Sequence, residues 1–202
     1  MNTKATTAAA ALALGLMTFG CGGAAPAGGG SQTATSAVST TPPNTADAVK
    51  AGAIPTPEIE AQTKAIAALG PHSQATYPPI PTNGYAPPRP PEVVTAAFQF
   101  AAEHPEISSY VPCFCGCQQG GHKGNHDCFV RSRAANGDVL EWEPHGLECA
   151  VCIDVATRSR QLLASGASVT EIRAAIEREF LPNAPTMTPT PNPPAAGAAH
   201  SH

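Results

Sequence analysis

The sequence predicts a mainly α-helical fold: a small cysteine-rich helical domain with an irregular loop and a short hairpin, flanked by disordered Pro/Ala-rich segments. Three observations predict this class. Six of the seven cysteines fall between residues 113 and 152, and apolar residues recur at helical spacing on both sides of them. The 22 Pro and 18 Gly cluster toward both ends of the 202-residue chain. Segments of that composition bury too little apolar surface to offset the entropy of ordering.

The charge distribution argues against one class of partner. The chain has a formal net charge of −4, and the whole imbalance falls within residues 89–182, where eight Lys and Arg stand against twelve Asp and Glu. Because the chain has no basic patch and no run of Lys or Arg, nucleic-acid binding has no electrostatic basis. We therefore expect the domain to attract cations and to repel phosphates.

Residues 1–20 predict an export signal. Lys4 precedes an apolar run over residues 8–19, which is too short to span a bilayer as a permanent helix. Cys21 follows where this run ends, in the manner of a bacterial lipoprotein signal. We expect Cys21 to be lipidated and residues 21–57 to form a flexible tether. The alternative is cleavage a few residues further on, without a lipid.

Residues 58–88 predict a short helix and a Pro-rich linker. Thr56 can cap the helix with its hydroxyl, Pro57 suits the first turn, and Gly70 ends the pattern. The chain that follows is again rich in proline, so we expect it to be extended.

Residues 89–182 form the predicted domain. Its first helix begins at Pro91, and apolar residues then follow the i, i+3, i+4, i+7 spacing. Beyond the cysteine-rich loop, residues 129–131 and 139–142 predict two short strands around the turn pair Asn136-Gly137.

Two helices are expected to close the domain. The first covers residues 147–165, with apolar positions at helical spacing. The second opens with Ser168 and Glu171, which form a capping box in the sequence, and ends at Pro182. We expect residues 183–202 to be a disordered tail.

The loop at residues 112–128 holds four cysteines and two histidines. Its Cys-x-Cys-x-Cys pattern places three thiols on one face of an extended segment, and neighbouring glycines let the backbone curl around them. Cys149 and Cys152 share one face of a helix's first turn, where free N–H groups favour the thiolate. Thiolates and imidazoles are the usual ligands of zinc and copper(I), so the pattern predicts a metal-binding loop.

The candidate ligands are Cys113, Cys115, Cys117, His122, His126, Cys128, Cys149 and Cys152. Eight ligands would complete two tetrahedral zinc sites, or the thiolates could bridge a small copper(I) cluster.

Other interpretations of the cysteines stay open. Exported proteins meet oxidising conditions, and six cysteines allow fifteen disulfide pairings, although cysteines one residue apart do not pair easily with each other. Redox-active thiols are a further alternative. His145, just ahead of Cys149, is a candidate as an additional ligand or as a hydrogen-bond partner of one.

These motifs together resemble those of a known family. The segment 112–117 reads Pro-Cys-Phe-Cys-Gly-Cys; His122, the segment 126–130, and Cys149-x-x-Cys152 follow it at matching positions. The pattern resembles the bacterial PCYCGC-motif lipoproteins, with Phe114 in place of Tyr, and the likeness covers residues 93–182. The resemblance implies an exported, often lipid-anchored protein whose cysteines bind a metal.

The sequence therefore predicts a non-enzymatic protein of the cell envelope. It would be anchored to the membrane through a lipid on Cys21, bind copper(I) or zinc, and buffer the ion or pass it between a metal-donor and a metal-acceptor protein. One alternative is a thiol–disulfide oxidoreductase. The other is a structural module stapled by zinc or by disulfides.

Overall fold

The computed structural model describes residues 54–82, 84 and 86–195. Its strands, β1 (Val130–Arg133) and β2 (Val139–Trp142), pair antiparallel in a two-stranded sheet. Its helices are α1 (Pro57–Ala67), α2 (Pro91–Glu103), α3 (Pro105–Ser108), α4 (His145–Glu148), α5 (Ala150–Ala164) and α6 (Val169–Phe180). The described part of the chain is thus mainly helical with one hairpin, which confirms the predicted fold class. The predicted signal, Cys21 and the tether up to residue 53 lie outside the described residues.

Two helices begin at residues whose side-chain hydroxyls cap the first turn. Thr56 accepts a hydrogen bond from the Ile59 N–H at 3.3 Å, at the start of α1. At the start of α6 the predicted capping box is present: Ser168 Oγ accepts from the Glu171 N–H, and the Glu171 carboxylate accepts from the Ser168 N–H. No helix of residues 54–195 is both long enough and apolar enough to cross a membrane.

The helix predicted over residues 147–165 is divided into two. Helix α4 ends at Glu148, Cys149 has extended backbone angles (φ −102°, ψ 105°), and α5 begins at Ala150. Only one residue separates the two helices, so the apolar residues keep a nearly helical spacing in the sequence. The break is therefore not visible in that pattern. As a result, Cys149 is the N-cap of α5 and not a residue inside a helix.

Phe98 of α2 lies at the centre of the apolar core. Its ring meets Phe129 and Trp142 edge-on, at centroid separations of 5.1 and 5.3 Å. Helix α2 packs against α5, and α5 packs against α6. Trp142 also donates its indole N–H to the carbonyl of Pro78 at 2.7 Å, which joins the Pro-rich segment to the hairpin. These contacts surround the base of the cysteine-rich loop with apolar side chains.

Residues 184–191, part of the segment predicted to be a disordered tail, contact the loop and α6, and we call them the C-terminal strap. Thr188 donates its N–H to the Cys113 carbonyl at 2.9 Å, and its hydroxyl accepts from the Cys113 N–H at 2.8 Å. Thr190 donates its hydroxyl to the Lys123 carbonyl at 2.5 Å. Both threonines are buried. Composition marks such a segment as disordered because it does not show that its hydroxyls meet backbone groups of the loop.

Arg173 of α6 fixes the far end of the C-terminal strap. Its Nη1 donates to the carbonyls of Tyr110, at 3.0 Å, and of Pro191, while its Nε donates to Glu177 at 2.8 Å. The side chain is buried, and a buried guanidinium is tolerated only where its N–H groups find acceptors. The strap and the segment just ahead of the loop supply two of them.

We expect Thr188→Val to destabilise the domain. The change keeps the shape of the side chain but removes the acceptor of the buried Cys113 N–H, and an unsatisfied buried donor costs about 1–3 kcal/mol. Urea denaturation under reducing, metal-free conditions measures the free energy of unfolding. Thr170→Val, on the exposed side of α6, is the matched control and should change it by less than about 0.5 kcal/mol. Equal effects of the two substitutions would show that the strap contact does not stabilise the fold.

Candidate metal centre

The sulfurs of three distant segments meet at one place. Cys113 Sγ lies 3.2 Å from Cys152 Sγ, and Cys115 Sγ lies 3.6 Å from each of them. Cys117 Sγ and Cys128 Sγ are 3.7 Å apart. We call these five cysteines and Cys149 the thiol cluster. It contains every cysteine of the described residues. The predicted convergence of the six sulfurs is therefore observed.

The loop reaches the cluster through two left-handed glycines. Gly116 (φ 87°) and Gly121 (φ 91°) stand on either side of a 3₁₀ turn, Cys117–Gly120. Residues with a side chain rarely adopt such angles, so glycine permits the reversal that turns Cys117 back toward Cys113. The loop thus presents its thiols from a curled backbone, as the sequence predicted.

Cys128 is held at the cluster by close backbone packing. It ends a 3₁₀ turn, His126–Cys128, against which Gly146 of α4 packs directly. A Cβ on Gly146 would lie 2.5 Å from Phe129 Cδ1 and 2.6 Å from the Cys128 carbonyl oxygen, so only glycine fits there. This contact sets the position of α4, and therefore of the His145 side chain, relative to Cys128.

Helix α5 contributes the last two thiols at its N-terminus. Cys149 is the N-cap and half-buried, whereas Cys152 lies in the first turn and is fully buried. The buried Asn125 donates its amide to the Cys152 carbonyl at 3.2 Å, which links α5 to the loop. The positive end of the helix favours thiolates at these positions.

The thiols share protons with one another. Hydrogen bonding with Cys115 lowers the pKa of Cys113 and of Cys149, whereas contact with Cys113 raises the pKa of Cys115 and of Cys152. Contact with Cys113 also lowers the pKa of Cys117, whereas burial raises the pKa of Cys128. A metal ion binds thiolates, so its binding would release the remaining protons.

Two histidines complete the cluster. His145 Nε2 lies 3.4 Å from Cys115 Sγ, and the His145 ring meets the His122 ring edge-on at 5.2 Å. Contacts with Cys117 and then with Cys149 raise the pKa of His145 to about 10, and contact with Cys117 raises the pKa of His122. The Nδ1 atom of His122 is buried without a hydrogen-bond partner. One nitrogen of His122 lies within 4.8 Å of the Cys117 and Cys128 sulfurs, so the ring is placed as a metal ligand would be.

His126, a predicted ligand, points away from the thiols. Its Nδ1 lies 3.3 Å from an Asp127 carboxylate oxygen, and its Nε2 lies 3.2 Å from Nη2 of Arg133. Burial lowers the pKa of His126, so the neutral ring donates to Asp127 and accepts from Arg133. Arg133 in turn donates to the carbonyls of Ala101 and Ala102 at the end of α2. His126 thus joins the loop to α2 through Arg133. The groups of possible metal ligands contain His145, which the sequence offered as an additional ligand, and do not contain His126.

The donor atoms are spaced for metal coordination. Two groups of four have ligand atoms that all lie within 4.8 Å of one another: Cys115, His145, Cys149 and Cys152; and Cys117, His122, Cys128 and His145. Tetrahedral coordination with bonds of about 2.3 Å places neighbouring sulfurs about 3.8 Å apart, close to the distances observed. A disulfide needs about 2.05 Å, and all six cysteines of the described residues are unbridged. The residues therefore fit a metal ion.

The comparisons with known proteins agree with the motif. A family described as "Protein of unknown function with PCYCGC motif" matches residues 85–193, just over half of the chain. The chain belongs to the PCYCGC family. No curated protein and no solved structure matches it. In this PCYCGC chain the variant residue Phe114 is buried and stacks on Phe180 of α6 at 5.8 Å, so it joins the motif to the last helix.

We expect His145→Gln to weaken zinc binding by more than about tenfold. Substituting a residue that only hydrogen-bonds to a metal ligand already lowers affinity by about tenfold or more, and His145 is a candidate ligand itself. His126→Gln is the matched control, because the same exchange is made at a histidine outside the cluster. It should leave the zinc affinity unchanged and lower the free energy of unfolding. Competition with a chromophoric chelator measures the affinity of each purified chain. If His126→Gln alone weakened binding, the assignment of the two histidines would be reversed.

Proposed function

We propose that this PCYCGC protein is an exported, membrane-anchored protein that binds a soft or borderline metal ion, copper(I) or zinc, for buffering or delivery. The gathering of six thiols and two imidazoles in one cluster is the observation that carries the proposal. Thiolate sulfur selects copper(I) and zinc over the hard cations that prefer oxygen ligands. The negative charge of the domain favours a cation further.

The exposure of the donors supports exchange of the ion and not a purely structural role. Cys115, Cys149, His122 and His145 are each half-buried, so solvent or another protein can reach one side of the cluster. Structural zinc sites are usually closed, with all four ligands from the protein. An open side suits a protein that takes up and releases its ion, and we propose no catalytic role for it.

The anchor rests on sequence alone. The apolar run over residues 8–19 and Cys21 directly after it support export and lipidation, and the tract that follows supports a tether. One lipid-modified residue would then hold the domain near the membrane surface.

A second candidate function is thiol–disulfide exchange. Cys149 is half-buried at a helix N-terminus with a lowered pKa, and Cys152 lies buried three residues later. A Cys-x-x-Cys pair in that position suits an attacking thiolate and its resolving thiol. Oxidation of the pair to a disulfide would pass two electrons and two protons in total to a substrate disulfide, which becomes two thiols. Rapid reduction of a small disulfide by the metal-free chain would favour this candidate.

We expect the purified, reduced full-length chain to bind copper(I) or zinc, and the triple substitution of Cys113, Cys115 and Cys117 by Ser to abolish binding. Native mass spectrometry counts the ions, and circular dichroism checks the fold. Cys21→Ser is the matched control, because it removes a thiol that lies outside the domain. Should the triple variant unfold, Cys115→Ser with Cys149→Ser removes only half-buried thiols. A wild-type chain that bound no metal in the reduced state would refute the proposal.

We expect Cys21→Ser to release the protein from the membrane fraction of the cells that make it. The same change should stop the incorporation of a labelled fatty acid, because no other residue is proposed to carry a lipid. Cys149→Ser, which leaves the signal intact, should stay with the membrane. A wild-type protein whose Cys21 is unmodified or removed would contradict the anchor without affecting metal binding.

A further inference from the structure

We propose that the centre holds two metal ions of unequal accessibility, joined by the thiolate of Cys113. The inference rests on the proposed function and names the arrangement within the same cluster. The donors number eight, and one tetrahedral ion would use four of them. Most of the remaining donors, Cys117, His122 and Cys128, also lie within 4.8 Å of one another, a spacing that suits a second ion.

The first ion would occupy the outer site. Its ligands form one group with all donor atoms within 4.8 Å: Cys115, His145, Cys149 and Cys152. Three of these are half-buried, and only Cys152 is fully buried. The outer site therefore lies on the accessible side of the cluster, where the N-terminus of α5 meets the loop.

The second ion would occupy the inner site, at Cys117, His122 and Cys128. These donors also lie within 4.8 Å of one another. His145 is within reach of them, but it lies 3.4 Å from Cys115 Sγ and belongs to the complete outer group. Cys113 is within 4.8 Å of both Cys117 and Cys128, so it supplies the fourth inner ligand. The inner site then has three sulfurs and one nitrogen, like the outer group, and a bridging Cys113 would be the fifth donor of the outer ion.

Cys113 also touches the outer site. Its sulfur lies 3.2 Å from Cys152 Sγ and 3.6 Å from Cys115 Sγ, which are both outer ligands. A thiolate has enough lone pairs to bind two soft ions at once, as in polynuclear thiolate clusters. Thr188 holds both backbone polar groups of Cys113, and the residue is fully buried. The strap thus holds the backbone that carries the bridging sulfur.

The two sites would exchange their ions at different rates. Three of the four inner ligands, Cys113, Cys117 and Cys128, are buried, so an incoming ligand reaches that ion only after the loop moves. At the outer site a partner thiol can approach Cys115 and Cys149 directly. The inner ion would then be retained, and the outer ion would be the one that is delivered.

The number and release of zinc ions test this arrangement in the purified, reduced full-length chain. Native mass spectrometry should count two zinc ions, and an excess of chelator should remove them in a fast and a slow phase of equal amplitude. Cys149→Ser should leave one ion and only the slow phase. Cys128→Ser should leave one ion and only the fast phase; His122→Gln serves in its place if the buried substitution unfolds the chain.

Cobalt(II) tests the bridge itself. With two cobalt ions bound, a shared thiolate couples their spins, so the electron paramagnetic resonance intensity should fall below that of two isolated ions. Cys113→Ala should restore the uncoupled intensity or reduce the number of ions to one. A wild-type chain with a single ion released in one phase would overturn the two-site arrangement and leave the proposed function standing. A chain that binds no ion would overturn both.

Discussion

The close approach of six sulfurs from three chain segments is the constraint on which this structure depends. Little regular hydrogen bonding connects the three segments that carry these sulfurs. They are residues 113–117, the turn that ends at Cys128, and the N-terminus of α5. Four of the cysteines are nevertheless members of the apolar core, along with Phe98 and Ile153. The candidate metal centre is therefore part of the apolar core. A domain of this size has a small apolar core, so a bound metal ion would add to its stability.

The loop does not depend on sulfur alone for its shape. Thr188 pairs with the backbone of Cys113, Asn125 bonds the first turn of α5, and the His126–Arg133 contact ties the loop to α2. None of these contacts uses a cysteine sulfur, so they do not depend on what the thiols bind. A site held in this way would need little rearrangement to accept an ion, and less binding energy would go into ordering the chain.

The parts of the fold predicted from sequence are those with local causes. The capping box of α6 and the hairpin around Asn136-Gly137 depend on residues within a few positions of each other, and both were predicted. The convergence of the cysteines followed from ligand chemistry. The C-terminal strap and the position of His126 outside the cluster depend on contacts between distant residues. His126 and His145 both stand near cysteines in the sequence, so the sequence does not distinguish their roles. In the fold, Arg133 of the hairpin donates a hydrogen bond to His126.

The C-terminal strap gives the cluster a closed side and an open side. Thr188 covers Cys113, and Gln118 donates to Thr186 at 2.6 Å, so the strap lies along the loop from the bridging cysteine toward the 3₁₀ turn. Cys115, Cys149 and His145, in contrast, are half-buried. The family match extends to residue 193 and so includes the strap, which therefore belongs to the domain and not to a variable tail. With one side closed by hydrogen bonds of the chain itself, any exchange of an ion would pass through the face formed by Cys115 and Cys149.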